Sequence, residues 1–129
     1  MNFNDYQTLA MRTCPALGQN DMLGNAALGL AGEAGEVADI IKKQLYQGHP
    51  PEPDKIADEV GDVLWYCALA ARAIGASLDD IALHNVHKLQ RRYPQGFDTT
   101  RSQYRPTDNW RGEEPLGCPF DEDLGRDGE

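Results

Sequence analysis

Gly29-Leu30-Ala31-Gly32-Glu33-Ala34-Gly35-Glu36-Val37-Ala38-Asp39-Ile40-Ile41 is the stretch on which the reading of this sequence turns. Leu30, Ala34, Val37 and Ile41 fall at helical spacing, and the series extends back to Ala27 and Leu23 and on to Leu45. Apolar residues three and four apart share one face of a helix, so a long helix from about Asn20 or Asp21 to about Gln47 is expected. Gly48-His49-Pro50-Pro51 ends it, because proline supplies no amide donor and clashes with the preceding turn. Two acids, Glu33 and Glu36, interrupt this otherwise apolar helix at i and i+3 and therefore share a face.

Working outward, the same logic yields an all-α chain. Asn4 is a good N-cap for a first short helix that stops near Thr13, before Pro15. A third helix is expected from about Asp54 to Ile74, closed by Gly75. Ser77 and Asp80 resemble a capping box opening a fourth helix, which runs to Tyr93 before Pro94. No period-two alternation suggests a strand. The expected architecture is a bundle of four to five helices over residues 1–97, followed by an irregular tail over 98–129. The tail is rich in Gly, Pro and acids, which fits either a mobile segment or an arm docked on a partner subunit.

The third helix carries Val60, Val63, Leu64, Trp65, Tyr66, Ala68, Leu69, Ala70 and Ala71, apolar almost all round. Such a helix is buried on most sides, and a chain of 129 residues has few partner helices to cover it. An oligomer, at least a dimer, is expected on that ground.

Composition narrows the function classes. The formal charge is −9; residues 1–97 carry 12 acids against 8 bases, and residues 98–129 carry 9 against 4. An acidic chain without a long basic stretch is poorly suited to holding a nucleic-acid backbone. No apolar run approaches the roughly 20 residues that span a bilayer, and no basic-then-apolar segment opens the sequence. Cys14, Cys67 and Cys118 form no CxxC pair, which suits a reducing compartment. Together these features predict a cytoplasmic protein that binds neither nucleic acid nor membrane.

Glu59 and Asp62 repeat on the third helix the i, i+3 spacing of Glu33 and Glu36. Carboxylates are costly to bury unless paired or bound to a cation. Two helices that each turn an acid pair inward create an oxygen-rich cage, the arrangement of bundle-core metal sites. With oxygen donors alone and no histidine at i+3, the expected ion is Mg²⁺ or Mn²⁺ rather than zinc or iron. Such ions complete their shells with water and substrate phosphates, so phosphate chemistry is expected. Gly29, Gly32 and Gly35, spaced three apart, are explained either by close helix approach or by room for a metal and a triphosphate.

Lys88 and Arg92 lie at i and i+4 on the fourth helix, with Asn85 one turn earlier. They form either a phosphate-holding stripe or the surface charge usual near a helix C-terminus. Lys42 and Lys43 follow the first acid pair by about two turns, and Lys43 is a further candidate. Trp65 points away from the acids and belongs to core or interface. His49 is expected in solvent, and His84 and His87, without acid or Cys partners, on the surface.

The stretch from Gly29 to Asp39, then Glu59-Val60-Gly61-Asp62-Val63-Leu64-Trp65-Tyr66, resembles the ExxE…ExxD signature of MazG-like nucleoside triphosphate pyrophosphohydrolases. Asn85-Val86-His87-Lys88-Leu89, followed by Arg91-Arg92-Tyr93-Pro94, is similar to that family's closing block. The resemblance covers roughly residues 3–97. It implies an all-α dimer or tetramer in which Glu33, Glu36, Glu59 and Asp62 bind Mg²⁺ and serve catalysis. It further implies a (deoxy)nucleoside triphosphate substrate cleaved to monophosphate and pyrophosphate, with Tyr66 touching sugar or base. Some relatives carry a second Glu where this chain has Gly32. The shared motif does not separate a general enzyme from a dedicated dUTP or dCTP pyrophosphatase or a phosphoribosyl-ATP pyrophosphohydrolase. A non-catalytic helical interaction module is the alternative of another class.

Overall fold

A computed structural model describes residues 1–104 of the chain. Among them are five α-helices and one short 3-10 turn: α1 (Phe3–Ala10), the 3-10 turn Met11–Thr13, α2 (Gln19–Tyr46), α3 (Pro53–Ala73), α4 (Leu78–Arg92) and α5 (Thr99–Gln103). The all-α expectation holds. Contacts divide the chain into two units, Met1–Ile81 and Ala82–Glu129, with the division inside α4.

The helix ends follow from local chemistry. Asn2, rather than Asn4, caps α1: its Oδ1 accepts from the Asp5 amide at 2.7 Å, and Asp5 Oδ2 accepts from the Asn2 amide at 3.1 Å. Asn4 serves a different end, its Oδ1 accepting from the Asp79 amide at 3.3 Å. Gln7 Oε1 accepts from the Leu78 amide at 2.9 Å, while Asp79 Oδ1 accepts from the Phe3 amide at 3.1 Å. The N-termini of α1 and α4 thus satisfy one another's open amides. Pro53 opens α3 at its first turn, where a missing N–H costs nothing. Gly75, at φ 70°, turns the chain after α3.

In the first unit α2 and α3 pack along their lengths, and α1 leans on α3. Ala26, Ala68, Leu69 and Ala71 are buried in the seam, joined by Met11 and Leu78. Trp65 packs against this cluster, and its indole N–H donates to Ala10 O (3.2 Å) and Thr13 Oγ1 (2.8 Å), tying the 3-10 turn to α3. The expectation that α3 is buried on most sides holds only for its C-terminal half. Val60 and Leu64 remain 45 % and 38 % exposed, Leu64 at the wall of a groove it shares with Phe3 and Tyr6 of α1.

In the second unit Tyr93 and Phe97 pack as tilted rings 5.6 Å apart around Gly96, whose φ is 90°. Asp98 caps α5 by accepting from the Arg101 amide at 2.8 Å, so the expected irregular tail begins with a helical turn. Residues 105–129 lie outside the described residues. His87 is buried at 6 % exposure, which corrects the expectation that it lies on the surface. Neighbouring-residue chemistry alone did not reveal that burial. His84 is half-buried.

Candidate metal centre

Three contacts fix how α2 and α3 meet. Gln19 Nε2 donates to Ala73 O at 2.9 Å, Gly29 lies against the ring of Tyr66, and Glu33 meets Asp62. Residue numbers rise along α2 as they fall along α3, so the helices are antiparallel, as the short 47–52 connection requires. In that register the i, i+3 acid pairs of the two helices face each other.

Glu33, Glu59 and Asp62 come together: one carboxylate oxygen from each lies within 4.8 Å of the other two. Glu33 and Glu59 are half-buried, while Asp62 is open to solvent. Burial raises the Glu59 carboxyl above its ordinary value, and the charges of Glu33, Asp62 and Glu36 and a hydrogen bond with Glu33 push it the same way. Like charges gathered at this spacing repel, and a divalent cation is what would relieve them. The donor set is oxygen only and partly open, which fits an ion that keeps water or phosphate ligands.

Glu36, the fourth acid, stands outside this trio and is exposed, one turn further along α2. Its charge nonetheless acts on Glu59 and on Lys43. Lys43 does not extend into the acid cluster; it pairs with Asp39 at 2.5 Å, as does Lys42. The two lysines hold the Asp39 carboxyl down to about 2, chiefly through the hydrogen bonds from Lys42 and Lys43. Asn85 is exposed and Lys88 and Arg92 half-buried; the three occupy α4 at i, i+3 and i+7 in the second unit.

Tyr66 lies one turn from Asp62 with its ring on α2 at Gly29, edge-to-face with Trp65 at 5.0 Å and 83°. Of the three spaced glycines, Gly29 is therefore explained by close approach. A Cβ on Gly32 or Gly35 would meet nothing within 4 Å. Tyr6 was not singled out by spacing. Burial, then the charges of Asp62 and Cys67, raises its phenol above the ordinary value. Tyr6 and Asp62 are 56 positions apart, and no local pattern links them.

The MazG nucleotide pyrophosphohydrolase domain matches residues 24–97, which take in α2 from residue 24 onward, all of α3 and α4, and all four acids. The chain belongs to the MazG nucleotide pyrophosphohydrolase family. It is also 34 % identical over 105 residues to the Gene 37 protein of Mycobacterium phage L5, covering 74 % of this chain and 92 % of that protein. No solved structure matches. Membership in this family, whose enzymes are generally metal-dependent, agrees with an acid cluster between α2 and α3. No helix among the described residues is long and apolar enough to cross a membrane.

Proposed function

We propose that this chain hydrolyses (deoxy)nucleoside triphosphates to the monophosphate and pyrophosphate, with Mg²⁺ or Mn²⁺ as cofactor, in nucleotide-pool control. The observation that carries the reading is the convergence of Glu33, Glu59 and Asp62 from two antiparallel helices in a MazG-family chain. Residues 1–97 form the working domain in this reading, and cytoplasm is its location.

Glu33, Glu59 and Asp62 would hold the cation, with Glu36 as the outermost donor of the set. The bound ion supplies positive charge to polarise a water and the α-phosphate and to neutralise the departing pyrophosphate. Glu33 and Glu36 are the residues available to accept the proton of the attacking water. Lys88, Arg92 and Asn85 serve as phosphate contacts, with Lys43 released from Asp39 as a further one. Tyr66, half-buried, is the sugar or base contact in this reading. The chain's acidity favours a free nucleotide, delivered with its cation, over a nucleic-acid polymer.

The working form in this reading is a homodimer or homotetramer. Leu23, Leu30, Cys67, Ala70 and Ile74 line an apolar groove of about 390 Å³ on the first unit. Ile41 and Leu45 continue the same α2 face and are 39 % and 62 % exposed. An apolar stripe of that length is what a second copy would cover.

The test is a panel of ribo- and deoxynucleoside triphosphates with Mg²⁺, products resolved by ion exchange, with a chelator control and Glu33→Gln alongside. Monophosphate and pyrophosphate, lost with chelator and in the variant, is the expected result. Diphosphate with orthophosphate would place the cut at the wrong bond. No turnover of any nucleotide would favour a non-catalytic helical module.

A further inference from the structure

We infer that the Gly29–Tyr66 contact is the gauge of the metal centre: it sets the separation of α2 and α3 at which the acid cluster selects Mg²⁺ over larger cations. The inference rests on the metal-centre reading above and concerns two residues that are not themselves ligands.

The geometry is a ladder between antiparallel helices. Ala26 and Leu69 are both buried in the seam; one turn on, Gly29 meets Tyr66; one turn further, Glu33 meets Asp62. A Cβ built on Gly29 would overlap Cε1, Cδ1 and Cζ of Tyr66. Any other residue at position 29 therefore forces a choice between moving the ring and moving the helices. The ring also stands edge-to-face with Trp65 at 5.0 Å, so a ring displaced from Gly29 disturbs that contact. Trp65 is in turn held through its indole N–H by Ala10 O and Thr13 Oγ1. The backbone of α2, the Tyr66 ring, the Trp65 ring and the 3-10 turn thus form one continuous stack. Compression at its first joint is passed to the spacing of α2 and α3, one turn below the carboxylates.

That spacing matters differently to different ions. Mg²⁺ demands near-ideal octahedral geometry at short metal–oxygen distances, whereas Ca²⁺ accepts longer ones and irregular shells. A wider cage should therefore cost Mg²⁺ more than Ca²⁺. The fold supplies only this one intimate glycine contact near the acids, among the described residues, since Gly32, Gly35 and Gly61 face open space.

The experiment uses the full-length metal-free protein, titrated with Mn²⁺ by electron paramagnetic resonance and competed with Mg²⁺ and with Ca²⁺. Gly29→Ala is expected to weaken Mn²⁺ and Mg²⁺ binding by at least about tenfold, the scale of supporting-residue effects on metal sites, and to lower the Mg²⁺ to Ca²⁺ preference. Gly29→Ala/Tyr66→Ala removes the ring that collides with the new methyl and should recover binding and preference relative to Gly29→Ala. Circular dichroism of each metal-free variant reports whether the helices persist. Unchanged binding and preference in Gly29→Ala would overturn the inference alone. A loss that the double variant does not recover, or an equal loss for both ions, would reduce the contact to general packing and overturn it too. If the parent chain binds no Mn²⁺, the metal-centre reading itself fails, and this inference with it.

Discussion

Glu33, Glu59 and Asp62 sit close enough that each raises the electrostatic cost of its neighbours, and that cost is most visible at Glu59. Neutralising one of them should abolish Mn²⁺ binding while leaving the metal-free protein folded, and Glu59→Gln should raise its melting temperature slightly by removing repulsion. Calorimetric titration and a thermal melt of the same sample check both halves. Glu36→Gln should weaken binding less than Glu33→Gln, because Glu36 stands outside the trio; equal losses would place it inside. Asp39 shows the opposite electrostatics. Its folded-state carboxyl lies at about 2 against an ordinary 3.8, so its pairing with Lys42 and Lys43 favours the folded state above pH 3.8. That contribution is lost as pH falls towards 2. Asp39→Asn should therefore melt slightly below the parent at neutral pH, the gap narrowing as pH falls through 3.8 and closing only below about 2. The pairs are exposed, so the difference is small.

At the scale of the element, α3 does two jobs with its two halves. Its C-terminal half supplies the core, and Leu69, fully buried, is the residue whose loss leaves the largest hole. Leu69→Ala should cost about 2–5 kcal/mol in denaturant unfolding, the range for buried leucines. Its N-terminal half carries Glu59 and Asp62 and leaves Val60 and Leu64 open. The helices and the acid pairs were legible because both are local: 3.6-residue periodicity, prolines and glycines mark the elements, and i, i+3 spacing marks the shared face. What was not legible is non-local. The Asn4 side chain reads as a cap for its own helix but accepts from Asp79 across the fold, and His87 reads as polar surface but is buried. Tyr6 packs against the core cluster and feels the charge of Asp62 because α1 leans on α3, which has no signature in either segment.

For the whole molecule, the open question of assembly has a direct test. Sedimentation should give a dimer or tetramer, and Ile41→Glu with Leu45→Glu should shift it to monomer without unfolding, since both side chains are exposed in the single chain. A monomeric parent would remove the oligomer from the proposal. The sequence by itself determined the class of fold, the extents of the long helices to within a residue or two, and which four acids lie at positions 33, 36, 59 and 62. Those features depend on neighbours within a few turns, where backbone geometry translates spacing directly into direction. Only the tertiary structure decided that three of the acids converge while Glu36 stands apart, that Lys43 is engaged by Asp39, and that Gly29 is the seat of the Tyr66 ring. The Lys43–Asp39 pair is an i, i+4 contact inside α2 and needed only a choice among local partners, whereas the other two outcomes depend on the register of two antiparallel helices, which is set by packing between residues dozens of positions apart.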